Sequence, residues 1–408
     1  MAARMKSMDE RDIEQLIARQ RPWHSLEQAF YTDPEIYRRE VDRILLRSWL
    51  YAGHVSEIPD VGDYMLLEFA NESVIIIRAG DDKIYALVNV CRHRGSRICF
   101  EKKGSEKRLT CRYHGWTYGL DGMLRAAAHM PENFDKSGIG LKKLHLRVFQ
   151  GLVFVNFAEK PGNFDLIDAE LGPRLASFGL DKTKVAHRQS YPIKANWKLA
   201  VENYKECYHC APAHPEYSKA HALAMPDEMY ADEYEDLLKR GVACGLSDAV
   251  FNNSYEDSGE FGTDRAFERY PLLRRHVTGS QDGQQLAPLL GTITGFDRGA
   301  SDFKVGPLLY ALAYCDHVVL YRFLPTSTDE ADCDITWLVH EDAVEGENYY
   351  LEKLTWLWDV TTKADKRIIE NNHAGVMSRY YEPGPLSTME TATNRWNRWY
   401  LGAISGER

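Results

Sequence analysis

The chain has 408 residues, long enough for two domains, each with its own core. Its 50 Lys and Arg stand against 60 Asp and Glu, a formal charge of -10, which argues against nucleic acid or an anionic membrane as partner. No run of eighteen apolar residues occurs, Met1 to Arg21 mixes charges without an apolar core, and eight cysteines are too sparse for a disulfide scaffold, so a cytoplasmic protein is expected.

The first predicted element is an entry helix. Asp33 precedes Pro34 as an N-cap, and Ile36, Val41, Ile44, Leu45 and Trp49 follow at helical spacing. From about Trp49 to Asn156 the pattern changes to short β-rich runs such as Ser73–Ile77 and Gly151–Val155, separated by turn sequences such as Gly80-Asp81-Asp82. Inside this all-β unit lie Cys91-x-His93 and, seventeen residues on, Cys111-x-x-His114, each loop closed by a glycine, Gly95 and Gly115. Two thiolates and two imidazoles suit a tetrahedral Zn, or a [2Fe-2S] cluster in which two histidines replace two cysteines on one iron. Each loop here contributes one Cys and one His, whereas a zinc finger groups a Cys pair and then a His pair. The order favours the cluster, which carries a single electron.

After Pro161-Gly162 the chain becomes mixed, with helical stretches near 164–178 and 195–210. A polar, acidic middle from about 225 to 302 reads equally as a lid or as a solvated excursion. Two strands are expected at Ala311–Leu324 and Asp334–His340, then a long helix from about Glu345 to Arg379.

Between Glu202 and Pro215 the sequence is dense in polar groups: Asn203, Glu206, His209 and His214, with Cys207 and Cys210 among them. Five residues turn a regular helix by about 140°, so His209 and His214 share a face only where the helix breaks, and Pro212 and Pro215 are the expected break. Glu206 lies three residues before His209 and shares its face. A third ligand is sought on the long helix, whose apolar stripe through Leu354, Trp358, Thr361, Ile368 and Val376 includes Asp365. A carboxylate on an inward face must be paired or bound to metal. Asp359 falls on the other side, beside Lys363, and is the fallback. Two histidines and one carboxylate form the facial triad of non-haem Fe(II) oxygenases, with positions left open for O2 and substrate.

The segments Cys91–Gly95 and Cys111–Trp116 resemble the Rieske signature. Together with Asn196–Pro215, Glu382–Ser387 and Trp396–Tyr400 they make the chain similar to the large subunit of Rieske non-haem iron oxygenases. The resemblance implies an α+β chain: an N-terminal helical segment (1–46) packing on the catalytic domain, an all-β Rieske [2Fe-2S] domain (47–160) and a helix-grip catalytic domain (161–408). In the last, a curved antiparallel sheet surrounds the long helix. It also implies Cys91, His93, Cys111 and His114 on the cluster, and His209, His214 and Asp365 on a mononuclear Fe(II). Glu206 is implied as an electron bridge to a neighbour's cluster in a homotrimer, with Asn203 close behind the iron. O2 is the implied co-substrate. Electrons come from a separate flavin and iron-sulfur reductase using NADH or NADPH, since this chain has no dinucleotide-binding glycine motif.

Aromatic-ring dioxygenases of the family carry Asp where Glu206 stands. The run Glu206-Cys207-Tyr208-His209-Cys210 is similar instead to members acting on carnitine, glycine betaine or proline betaine. That implies hydroxylation or oxidative N-demethylation of a small quaternary ammonium compound, for which Tyr310, Tyr314, Tyr321, Phe323 and Trp337 are the candidate aromatic box. The alternatives are an aromatic-ring substrate, or an electron-transfer protein whose second domain only docks partners.

Overall fold

The computed structural model describes residues 8–221, 227–256, 261–273 and 275–406. The entry helix runs Pro34–Arg43, and the Asp33 carboxylate accepts from the backbone N–H groups of Glu35 and Ile36. Two further helices precede it, Glu10–Arg19, closed by an Asp9–Asp12 capping box, and the short Gln28–Thr32.

The β-rich part forms three small antiparallel sheets. One joins Lys83–Val88, Glu72–Gly80, Asp63–Phe69 and Lys103–Ser105; another joins Leu50–His54, Leu152–Asn156 and His145–Phe149. The third, Leu109–Thr110, Thr117–Tyr118 and Leu124–Ala126, carries the second metal loop on the turn between its first two strands.

The second part is built on a seven-stranded antiparallel sheet ordered Thr183–Ile193, Ala331–His340, Val318–Pro325, Leu309–Ala313, Gly299–Val305, Arg265–Pro271 and Ser254–Glu256. Alternate residues of its central strands feed two separate cores. Leu312, Val319 and Tyr321 pack with Leu354, Leu357 and Trp358 of the long helix. Leu309, Ala311, Val318 and Leu320 pack on the other side with Ile167, Leu171 and Leu175 of the helix Asp165–Leu175. Both faces are covered, so Leu309–Ala313 and Val318–Pro325 are buried along their whole length.

That double burial explains one correction. The strand expected over Ala311–Leu324 is a hairpin, because an unbroken apolar run hides where the chain reverses. The reversal lies at Asp316-His317, where Asp316 accepts from Thr278 Oγ1 at 2.6 Å and from the Leu286 amide at 2.8 Å. The acidic middle is also more ordered than expected. It holds the helix Asp227–Ala243 and the three strands at the far edge of the sheet, while 222–226, 257–260 and 274 lie outside the described residues. Asp232 and Asp236 form the solvated face of that helix. The long helix spans Leu351–Val376 and is pinned to the sheet by Tyr191 OH on Asp359 at 2.8 Å and by Tyr321 OH with Thr362 Oγ1 at 3.2 Å.

A buried polar knot ties the entry helix to the second part. Glu40, wholly buried, accepts from Lys198 Nζ at 2.6 Å, Trp197 Nε1 at 2.8 Å and Tyr400 OH at 2.5 Å. Lys198 is equally buried, so removing one partner leaves an uncompensated charge in the core. Glu40→Ala is expected to lower the unfolding free energy by about 3–5 kcal/mol in urea titrations followed by tryptophan fluorescence. Combining Glu40→Gln with Lys198→Met is expected to recover most of that loss, because both charges then leave together.

Candidate active site

The two cluster loops are built alike. The amide of Cys91 donates to Ser96 O and that of Cys111 to Trp116 O, both at 2.8 Å; Gly95 and Gly115 donate back to the cysteine carbonyls at 2.9 and 3.0 Å. Each glycine sits at positive φ, +79° and +70°, where an L side chain would be strained. Both cysteines are buried and both histidines are exposed, with imidazole centroids 4.7 Å apart. His93 stacks on Trp116 at 4.9 Å, which fixes its ring plane. Burial alone would raise the Cys111 thiol, but the amides of Tyr113 and His114 and the Cys91 sulfur reverse this and favour thiolate. The Tyr118 hydroxyl lies 3.3 Å from Cys91 Sγ, a hydrogen bond that the sequence did not announce.

A single Zn would draw its donors within about 4 Å of one another. Among the described residues, the group of three or more His, Cys, Asp or Glu donors within 4.8 Å of one another is another one.

That other group is His209, His214 and Asp365. The helix Trp197–Tyr204 stops at Lys205, earlier than the expected break; Pro212 sits inside a four-residue helix, Cys210–Ala213, and Pro215 starts the next. Glu206 is therefore not on a helix, yet it still meets His209. Its Oε2 accepts from the amides of Tyr208 and His209, and its Oε1 lies 2.6 Å from His209 Nδ1. The bond assigns the Nδ1 proton and leaves the Nε2 lone pair for a metal. Asp365 Oδ1 lies 3.2 Å from His209 Nε2 and 2.8 Å from His214 Nε2.

Both ring nitrogens of His214 and Asp365 Oδ1 are buried without a hydrogen-bond partner, although Oδ1 and Nε2 are so close. Buried acceptors that crowd together without sharing a proton fit a cation held between them. Asn203 Nδ2 stands 3.4 Å from His209 Nε2, behind the same point. Asp359 points away, accepting from Tyr191 and from Lys363 at 2.7 Å.

A cavity of about 570 Å³ opens onto the triad. Tyr204, Tyr217, Tyr270, Tyr321 and Trp358 give it aromatic walls, and Glu268 and Asp302 face each other across paired strands. Tyr230, from the helix Asp227–Ala243, covers part of the rim. Burial, and then the charge of Glu268, push the Asp302 carboxyl up to about 7 against the pull of Lys205.

Residues 48–148 match the Rieske [2Fe-2S] domain and residues 180–406 the ring hydroxylating alpha subunit catalytic domain. The chain belongs to the Rieske oxygenase alpha subunits. It is 35% identical over 381 residues to the glycine betaine monooxygenase oxygenase subunit of Pseudomonas aeruginosa, covering 92% of this chain and 88% of the relative. The carnitine monooxygenase oxygenase subunit of Escherichia coli is 28% identical, over 86% of this chain and 84% of that one. In fold the chain matches the quaternary ammonium Rieske monooxygenase CntA with a TM-score of 0.70, at 21% identity over 97% of this chain and 99% of that one. As a Rieske oxygenase it uses a [2Fe-2S] cluster and a mononuclear iron, with O2 and electrons delivered by a reductase.

The oxygenase does not assemble the expected aromatic box. Of its five members only Tyr321 lines the cavity. Tyr310 faces a smaller neighbouring space, Tyr314 hydrogen-bonds His221 at 2.7 Å, and Phe323 and Trp337 are core. Tyr204, Tyr217, Tyr270, Trp358, Glu268 and Asp302 take their place. Trp358 and Thr361 were legible, two turns and one turn before Asp365 on the same stripe, whereas Tyr270, Glu268 and Asp302 lie on strands that the acidic composition concealed.

Asp365→Ala in this oxygenase is expected to remove the mononuclear iron while leaving the cluster's absorption intact, read by metal analysis and visible spectroscopy. Asp359→Ala is expected to keep both metals. Loss of iron in Asp359→Ala with retention in Asp365→Ala is the contrary result.

Proposed function

We propose that this oxygenase attacks an N-methyl group of a small quaternary ammonium compound, releasing it as formaldehyde. The observation that carries the reading is the cavity itself: aromatic faces and a carboxylate pair open directly onto the His209, His214 and Asp365 group. Aromatic faces attract a quaternary cation, by about 0.5–2 kcal/mol per ring, and a desolvated carboxylate adds charge complementarity. The names of the glycine betaine and carnitine relatives support the same substrate class.

In this reading His209, His214 and Asp365 hold the iron, and Cys91, His93, Cys111 and His114 hold the cluster. When bound, the cluster supplies electrons singly and the iron supplies the place where O2 is activated. The chain's own groups do the rest. Glu206 holds the His209 proton on Nδ1, and Asn203 presents an amide beside Nε2. The aromatic wall keeps bulk water from the reacting methyl. Two electrons and two protons reduce one oxygen atom of O2 to water while the other enters the C–H bond; the resulting N-hydroxymethyl group collapses to the tertiary amine, formaldehyde and a proton.

The exposed His93 and His114 edge, with the exposed Tyr113 ring against His114, supports a homotrimer in which Glu206 bridges to His114 of the partner subunit. A cytoplasmic setting, served by a separate NADH- or NADPH-dependent reductase, suits a chain whose eight cysteines are all free.

The test is a single turnover of chemically reduced, iron-replete protein with O2, offered quaternary ammonium compounds and simple aromatics separately, with products read by mass spectrometry. Formaldehyde and a demethylated amine are expected; a hydroxylated ring with inert ammonium compounds would overturn the reading. A pH dependence follows from Asp302, which is neutral below about 7 and anionic above. Its contribution to cation binding is present at higher pH and lost as pH falls through that value. KM for an ammonium substrate is expected to rise as pH drops through about 7, by roughly tenfold, and Asp302→Asn is expected to flatten that rise.

A further inference from the structure

Glu202 opens the polar segment that ends at Pro215, yet it neither belongs to the metal triad nor lines the aromatic cavity. On the helix Trp197–Tyr204 it stands four residues after Lys198, the spacing of an ordinary helix ion pair, but Lys198 Nζ bonds Glu40. What Glu202 meets is a phenol: Tyr31 OH lies 2.9 Å from its Oε1 and 3.0 Å from its Oε2. Tyr381 and Tyr400, also near it, are phenols that burial keeps neutral. The long helix brings Ile368, Ile369 and Asn372, none of them charged, and the short helix Thr388–Glu390 brings a second carboxylate, Glu390. A desolvated carboxyl whose neighbouring cation is committed elsewhere keeps its proton. Burial pushes Glu202 up to about 8, against the Tyr31 hydrogen bond and the Lys198 charge.

Glu202 borders a second cavity, of about 260 Å³, where Ser25, Asn372, Glu390 and Asn397 are further polar walls. Asn203, Glu206 and His209 line both cavities and so form the partition between them. A polar space of that size suits a chain of several waters. Each turnover of an oxygenase that reduces one oxygen atom of O2 to water takes two electrons and two protons. An electron added to a desolvated site raises its affinity for a proton, and the partition separates the iron side from a carboxyl that still holds one.

We propose that Glu202 is the proton store behind the iron site, releasing its proton through the second cavity to the iron side of the partition as each electron arrives. The Glu202 O–H bond breaks, a carboxylate is left, and a solvent proton restores the acid. Two such transfers match the two electrons, and Glu202 ends the turnover as it began. Its role is the same whichever C–H bond is attacked.

The first readout needs no turnover. Infrared difference spectra of the metal-replete oxygenase are expected to lose a protonated-carboxyl band as pH rises through about 8, a band missing from Glu202→Gln. Glutamine can still accept from Tyr31, so cluster absorption and iron content are expected to stay at the parent level in that variant. Single turnovers at saturating substrate are then followed in H2O and D2O, with glycine betaine and, if that is inert, with benzene. The parent's rate is expected to fall as pH rises through about 8, because the donor is the protonated form, and to be lower in D2O. Glu202→Gln is expected to lose at least about tenfold in rate with KM unchanged and to flatten the pH profile, and Glu202→Asp to recover part of both. Tyr31→Phe removes a bond that favours the anion, so its rate is expected to fall at higher pH than the parent's. A Glu202→Gln protein with the parent's rate and profile would overturn the proposal, as would a carboxyl band that this variant retains. A loss shared in full by Glu202→Asp would make Glu202 a structural residue. If Glu202→Gln fails to hold its metals, an unshifted profile in Tyr31→Phe would overturn the proposal as well.

Discussion

One carboxylate oxygen, Asp365 Oδ1, stands within 3.2 Å of two imidazole nitrogens from the residues that flank the four-residue helix Cys210–Ala213. Three groups that each desolvate badly are thereby held together in the interior. Burial would raise the Asp365 carboxyl, but His209 and His214 hold it below the usual range, so it stays an anion. The same crowding pushes the His209 imidazole up to about 10, as burial is outweighed by Asp365 and Glu206. A proton and a divalent metal thus compete for one strongly negative point, and the rest of the catalytic half exists to keep that point in place.

The support comes from both sides. Below, the long helix brings Trp358, Thr361 and Asp365 to the cavity at intervals of three and four residues, and its anchorage through Asp359 and Thr362 prevents rotation. Above, the chain leaves regular helix between Tyr204 and Cys210, and the Glu206 carboxylate replaces missing backbone bonds there by accepting from two successive amides. The sheet then supplies the substrate walls. Because its two faces feed two cores, a polar residue on the cavity face such as Glu268 or Asp302 disturbs only one of them.

Much of this is legible in the sequence. The cluster loops, the entry helix with its Asp33 cap, and the inward position of Asp365 all rest on local chemistry or on a single periodicity. The substrate walls do not. Tyr270 and Glu268 lie on one strand and Asp302 on the next, and nothing local says that these acidic, glycine-containing stretches pair with the apolar hairpin Leu309–Pro325. The expected aromatic box fails for the same reason: Tyr310, Tyr321, Phe323 and Trp337 are on strands and Tyr314 lies just past the end of one, but with both faces buried only register decides which of them reach the cavity. Tyr118 was silent as well, since its bond to Cys91 depends on a two-residue strand pairing.

The knot at Glu40 has a consequence for how the chain is made. It joins a helix near residue 40, a helix near 198 and a helix near 400, so the three can lock together only after the chain has emerged past residue 400. The β-rich unit between them closes through contacts within residues 50–156. During translation the two cluster loops can therefore take their final shape while the iron site still lacks Asp365. The electron store is ready before the place where oxygen will be handled, and a half-finished chain has no assembled oxygen site.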